Sequence, residues 1–260
     1  MTAGLDLASA RATASAIVDE ADRISLHHFE RGVDATAKAD GSPVTVADRE
    51  VEALLRRLLA DAFPGQPVCG EEEGGALEPA TPTWVLDPID ATKNFLRGIP
   101  VYATLLALVV DGTAVVGVAS APAMGERWDA ARGLGACRNR RPVRVSAIDD
   151  LTDAHVLHGG LDWFRQTPGH WELLGRLADR AWRTRGYGDF WMHLLVAGGM
   201  AEVALERDVK PWDIASPACI VEEAGGRMTS WDGGPALSSG EALTTNSSLH
   251  QTMVTLLGRR

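Results

Sequence analysis

The chain is poor in cysteine, with 3 in 260 residues. Cys69, Cys137 and Cys219 lie far apart and form no CxxC pair. That excludes a disulfide framework and a zinc knuckle, and it fits a reducing compartment, so the cytoplasm is expected. Basic residues are also short: 25 Lys and Arg against 35 Asp and Glu leave a net charge of −10. Nucleic acid and anionic membranes both need a basic footprint, so neither is expected as a partner. The basic stretch RNRRPVR at 138–144 is brief, contains a proline and reads as a solvated turn. No apolar run reaches about 18 residues, so no membrane span is expected. The opening MTAGLDLASARA lacks a basic start followed by a continuous apolar segment, and no signal peptide is read there. Neither an internal repeat nor a low-complexity linker is visible.

What is present is enough apolar material for a large core, 45% of the residues. The length suggests one large domain or two intimate subdomains. Over 5–29, Ala10, Ala14, Ile17, Ala21 and Ile24 recur at helical spacing. Residues 30–44, with Gly32, Asp40, Gly41, Ser42 and Pro43, read as a loop. A second helix carries Val51, Leu54, Leu55, Leu58 and Leu59 on one face. Thr45 and Asp48 form a capping-box-like start, and the helix stops near DAFPG at 61–65. Strands are predicted at 84–86, 102–110 and 113–120, the last two joined by Asp111-Gly112, a hairpin signal. A further strand is expected over 126–133.

After about residue 150 the pattern changes. Strands at 154–160 and 201–206 alternate with helices at 171–181, 190–199, 213–224 and 247–257. The expectation is an α+β subdomain over 1–145 and an α/β subdomain over 146–260. Of the eight tryptophans most are assigned to core and interface, with Trp163 and Trp191 as candidate pocket walls; Met200 and Met228 read as core filler. His27 and His28 read as surface residues of the first helix, and His193 as a helix-face residue rather than a ligand.

The chemistry concentrates in acids. An apolar run, Trp84-Val85-Leu86, ends in DPIDAT at 87–92. CGEEEGG at 69–75 places acids in a glycine-rich turn. PWDIASPA at 211–218 starts an apolar helix with Asp213, and SPVTVADRE at 42–50 carries Asp48 in a first helical turn. Taken singly, each Asp is most simply a cap and EEE a solvated turn. Together they form an oxygen-rich set without histidine, which suits hard cations, above all Mg²⁺. Pro88 restricts Asp87 to extended backbone, so Asp87 and Asp90 can face one centre, with the Ile89 carbonyl beside them. Two such carboxylates can bridge a pair of metals, as in phosphate ester hydrolysis.

GEE, then DPID-x-T-x-NF after a WVL strand, then WDIA-x-PA and EEAGG, occur in an order that resembles the inositol monophosphatase family, from about Lys38 to Asn246. The resemblance implies a layered αβαβα sandwich, mixed α+β and α/β. It also implies a Mg²⁺-dependent, lithium-sensitive phosphomonoesterase with two or three ions, commonly a homodimer. It gives Glu71, Asp87 and the Ile89 carbonyl to a first metal, Asp87, Asp90 and Asp213 to a second, and the neighbourhood of Glu71 to a weaker third. Thr92 and Asp48 would orient and deprotonate the attacking water, with Glu71 beside them. The N–H groups of Ala91 and Thr92 would meet the phosphate, and Lys38 corresponds to a loop lysine near the metals.

The family usually has glycine where this chain has Ala91. Alanine fits if φ is negative, as at a helix start, and that is the expectation.

Asp189 and Glu206 fall where the family contacts the non-phosphate half of the substrate. YGDF, LVAGG and KPWD resemble histidinol-phosphate phosphatases of the family, so a small phosphate monoester, histidinol phosphate first, is the expected substrate. Inositol 1-phosphate or a related cyclitol or sugar phosphate, 3′-phosphoadenosine 5′-phosphate, and an inactive regulatory protein are the alternatives.

Overall fold

The chain is seen in a computed structural model that describes residues 5–38, 43–78 and 80–258. Helix α1 (Leu7–Arg31) starts where Asp6 accepts the Ser9 N–H at 3.1 Å, and it buries Ala10, Ala14, Ile17, Val18 and Ala21 along one face. Strands β1 (Ala35–Ala37) and β2 (Pro43–Thr45) then pair antiparallel, where the sequence predicted only a loop. Asp40, Gly41 and Ser42 of that loop lie outside the described residues. Helix α2 (Val46–Ala62) carries the expected capping box: Thr45 accepts from the Ala47 and Asp48 N–H groups, and Asp48 accepts from the Thr45 N–H.

A seven-stranded sheet follows among the described residues. Its strands are β3 (Val68–Gly70), β4 (Thr83–Asp90), β5 (Ala103–Val110), β6 (Thr113–Ala121), β7 (Glu126–Ala131), β8 (Ala136–Arg138) and β9 (Arg141–Pro142), in that order. The short helix α3 (Thr92–Leu96) lies between β4 and β5. All pairs are antiparallel except β3 with β4. The β5–β6 turn at Asp111-Gly112 has positive φ at both residues, as the pair predicted. Asn139-Arg140, inside the basic stretch, makes a second such turn between β8 and β9.

Side chains of the large sheet alternate between two cores. Trp84, Leu86, Leu106 and Leu108 pack under α1 and α2. Val85, Leu105, Ala107 and Val109 point the other way, against residues of two later helices. The remaining elements are β10 (His155–His158), α4 (Leu161–Gln166), α5 (His170–Arg180), β11 (Arg183–Gly186), α6 (Asp189–Ala197), β12 (Val203–Arg207), α7 (Pro211–Glu223), β13 (Arg227–Thr229), β14 (Glu241–Thr245) and α8 (His250–Gly258). Their strands form a five-stranded sheet, ordered β11-β10-β12-β14-β13, with β10 parallel to both neighbours.

Helices α6 and α7 lie between the two sheets. Phe190, Leu194, Ile214, Ala215 and Ala218 join the core of the large sheet, and Met192 and Val196 pack with Leu157 and Ala204 of the small one. The opposite face of the small sheet buries Val156, Val203 and Leu205 against α4, α5 and α8. The order of layers is therefore α, β, α, β, α.

No helix among the described residues is long and apolar enough to cross a membrane. The three cysteines are free thiols. Five of the eight tryptophans are core or packed on it, Trp84, Trp128 and Trp231 fully and Trp191 and Trp212 partly, whereas Trp163, Trp171 and Trp182 are exposed. One assignment needs correction: Met200 is exposed, whereas Met228 is buried as core filler.

Candidate active site

Asp87 and Asp90 are three residues apart on β4, and in a regular strand an odd separation puts side chains on opposite faces. The register breaks here. Asp87 pairs with Leu105 and Asp90 with Ala103, so β4 takes three steps against two on β5. This bulge turns both carboxylates toward one centre. Thr104 fixes it by donating to the Pro88 carbonyl at 2.9 Å, and Asp87 Oδ1 accepts the Ile89 N–H at 3.0 Å. Asp213 arrives from the first turn of α7, where its Oδ2 accepts the Lys210 N–H at 2.7 Å. One oxygen each from Asp87, Asp90 and Asp213 lie within 4.8 Å of one another.

Glu71 approaches from the turn after β3. That turn is held by Glu52, a fully buried acid of α2, which accepts the N–H groups of Glu72 at 2.8 Å and Glu73 at 3.0 Å and pairs with Arg56. Gly70 is required here, because a Cβ would sit 2.3 Å from the Glu52 carboxylate. Lys38 reaches in from the end of β1 and contacts both Glu71 and Glu72 at 2.6 Å.

The electrostatics are those of acids crowded out of water. Burial first, then the charges of Glu71, Asp90 and Asp213, push Asp87 well above the usual carboxylate range. Burial, then Asp189 and Asp213, do the same to Asp90, against the opposing pull of the Phe190 N–H. Asp213 is pushed up to about 8 by burial and then Glu71, Glu206 and Asp189, although the Lys210 N–H opposes this. Asp48 is raised chiefly by burial, and its Oδ1 is buried with no hydrogen-bond partner among the described residues. For Lys38 burial opposes the charge, but Glu71 and Glu72 outweigh it and hold the ammonium above its ordinary range. An all-oxygen cluster whose members resist ionisation together fits a divalent cation, which would reverse the local sign.

Ala91 overturns the expectation made for it. Its φ is +66° and ψ is 44°, the left-handed region, at the N-cap of α3. The bulge and the immediate helix start set this backbone, and alanine carries the strain that glycine would avoid. Thr92 donates its hydroxyl to the Ile89 carbonyl at 3.1 Å rather than to Asp48, whose Oδ2 is taken by the Thr45 hydroxyl at 2.5 Å.

The cavity above these acids measures about 860 Å³ and continues to His158, Trp163, Tyr187, Asp189 and Glu206. Trp163 is thus a wall, as expected; Trp191 instead packs beneath, against Tyr187. Asp189 is the first residue of α6 and does not cap it. Its φ is +51°, and burial followed by the charge of Glu206 pushes its carboxyl up to about 7, with Lys93 opposing. Glu206, on β12, is largely buried, its side chain 12% exposed. Its Oε1 accepts the Asp189 N–H at 3.2 Å, and its Oε2 lies 2.9 Å from His193 Nε2. His193 is fully buried and holds Thr244 Oγ1 at 2.8 Å through Nδ1. Sequence reasoning missed this histidine. The available signal was a polar ring inside the apolar run from Phe190 to Ala197, which must find partners if buried.

The sequence model of the inositol monophosphatase family matches residues 3–259. Among curated proteins the chain is 44% identical over 251 residues to a histidinol-phosphatase of Mycobacterium tuberculosis, covering 94% of this chain and 96% of that one. It is 38% identical over 263 residues to a histidinol-phosphatase of Streptomyces coelicolor (95% and 96% covered). It is also 38% identical over 208 residues to an inositol-1-monophosphatase of Mycobacterium bovis (75% and 72% covered). Among solved structures, inositol monophosphatases from Anabaena (27% identity, 98% and 97% covered) and Zymomonas mobilis (28%, 98% and 99%) each superpose with a TM-score of 0.85. With these matches spanning nearly the whole chain and its acids converging on one cavity, the protein belongs to the inositol monophosphatase family and is a phosphoric monoester hydrolase.

Proposed function

We propose that the chain hydrolyses L-histidinol phosphate to L-histidinol and phosphate, with Mg²⁺ as its metal and water as the direct nucleophile. The observation that carries this reading is the pairing of two acidic groups in one cavity: Asp87, Asp90 and Asp213 at one end, Asp189 and Glu206 at the other. Glu71, Asp87 and the Ile89 carbonyl would hold one ion and Asp87, Asp90 and Asp213 a second, with a weaker third beside Glu71. Bound Mg²⁺ would supply positive charge against the phosphoryl oxygens and lower the pKa of water.

The chain itself does the rest. The Ile89 carbonyl has two lone pairs, so it can accept from Thr92 and still face a cation. Thr92 Oγ, with its own proton committed to Ile89, keeps lone pairs for a proton of the attacking water. Asp48 keeps Oδ1 free to take the other proton of that water. The N–H groups of Ala91 and Thr92, at the start of α3, lack intrahelical carbonyl partners and are available to phosphate oxygens. Lys38 closes the Glu71 side. Asp189 and Glu206 would receive the ammonium and imidazole of the alcohol half.

The same carboxylates can accept hydrogen bonds from ring hydroxyls, and the likeness to inositol-1-monophosphatases supports inositol 1-phosphate as the second reading. A panel assay of phosphate release with Mg²⁺ on histidinol phosphate, inositol 1-phosphate and 3′-phosphoadenosine 5′-phosphate separates them. The lead reading expects the highest kcat/KM on the first and is lost if another ester leads. The expected homodimer rests on family resemblance and is checked by sedimentation.

A further inference from the structure

We propose that His193 is a positioning residue that sets selectivity for a cationic alcohol half, by clamping Glu206 beside Asp189. This deepens the substrate reading above and rests on it. Three geometric facts carry it. His193 is fully buried, and both of its ring nitrogens are engaged, with Glu206 Oε2 at 2.9 Å and Thr244 Oγ1 at 2.8 Å. The second Glu206 oxygen accepts the Asp189 N–H at 3.2 Å. The next N–H, that of Phe190, goes to Asp90 Oδ2 at 2.8 Å.

Helix α6 is therefore a strut. Its first residue contacts the substrate-side acid and its second the metal-side acid, while His193, one turn on, grips the substrate-side acid from behind. The left-handed backbone of Asp189 is held at this junction. Gly159 leaves the space: a Cβ there would come within 3.0 Å of Glu206 Oε1.

Donor and acceptor counting gives the tautomer. An ionised carboxylate only accepts, so His193 must carry hydrogen on Nε2. Thr244 can then donate its hydroxyl to Nδ1. Each Glu206 oxygen has two acceptor sites and spends one on the protein. The remaining sites, fixed in direction, are available to N–H donors of an ammonium or imidazolium. A neutral polyol depends less on a rigid second carboxylate, because its hydroxyls both donate and accept.

The test uses the full-length enzyme with Mg²⁺. His193→Leu should raise KM for histidinol phosphate roughly tenfold or more, since Glu206 loses a buried partner. The loss of kcat/KM on histidinol phosphate should exceed that on inositol 1-phosphate at least fivefold. Thr244→Val, which keeps the imidazole but frees Nδ1, should move the same ratio in the same direction, and His193→Gln should recover part of it. Equal losses on both esters overturn the proposal.

¹⁵N spectra of the wild type, labelled at histidine, provide a readout independent of folding of the variants. Hydrogen on Nε2 is expected, and hydrogen on Nδ1 alone overturns the assignment. A wild type that does not prefer histidinol phosphate sinks the substrate reading instead, and the tautomer measurement then decides the His193 clamp by itself.

Discussion

Removing the metal should make the protein's stability fall as pH rises, which is the reverse of ordinary carboxylate behaviour. Asp213 is pushed up to about 8 in the fold from an ordinary 3.8. Between those values the folded chain holds a proton that the unfolded chain has released. The folded state therefore gains its full advantage below the ordinary value and loses it as pH climbs through about 8. The slope is about 1.4 kcal/mol per pH unit for one such group, so Asp213 alone costs about 3 kcal/mol between pH 5 and 7.

Asp189, pushed up to about 7, acts in the same direction, as do Asp87 and Asp90, with less than additive weight because the four interact. In a chain of this size 3 kcal/mol corresponds to roughly 5–10 °C in Tm. The assay is thermal unfolding of chelator-treated protein from pH 5 to 8, with and without saturating Mg²⁺. Mg²⁺ should flatten the curve and stabilise more at high pH, because the ion displaces protons. Asp213→Asn should reduce the slope of the metal-free curve, leaving the share of the other three acids. A metal-free Tm that stays level or rises between pH 5 and 7 refutes the crowded-acid reasoning.

Three other outcomes follow from single positions. Ala91→Gly should relieve a left-handed backbone costing about 1–2 kcal/mol, less about 0.4–1 kcal/mol of added freedom in the unfolded chain, so chemical denaturation should show no loss and up to about 1.5 kcal/mol of gain. A clear loss would mean the strain is not real. Asp48→Asn or Thr92→Ala should lower kcat by about 100-fold if the two groups handle the attacking water, and a change below threefold would assign that water elsewhere. Glu52→Ala should cost about 1–3 kcal/mol by removing the acceptor of the Glu72 and Glu73 N–H groups and the partner of Arg56, and should weaken Mg²⁺ affinity through the Glu71 turn. Unaltered affinity would separate that turn from the metal site.

Much of this was legible in the chain because local chemistry set it. Apolar runs marked the central strands of the large sheet, and Asp111-Gly112 marked their hairpin. The break from Leu86 into Asp87-Pro88-Ile89-Asp90 marked the acidic centre. What escaped was non-local. The left-handed turn at Ala91 follows from the bulge against β5, which no property of alanine announces. Glu52 looks like one more charge on an amphipathic helix until the 71–73 turn closes over it. His193 meets Glu206 only because α6 packs on β12, and Thr244 completes the set from β14. Asp48 was read as a base near Thr92, yet Thr45 holds one of its oxygens, leaving a single oxygen for that role.

The most direct measurement is Mg²⁺ titration of Asp90→Asn, by calorimetry and by phosphate release from histidinol phosphate, beside the wild type. The variant should keep its circular dichroism spectrum and lose both Mg²⁺ binding at the Asp87–Asp90–Asp213 cluster and Mg²⁺-dependent turnover. Wild-type rates and an unchanged binding isotherm in a folded Asp90→Asn protein would contradict the assignment of these acids to a catalytic metal.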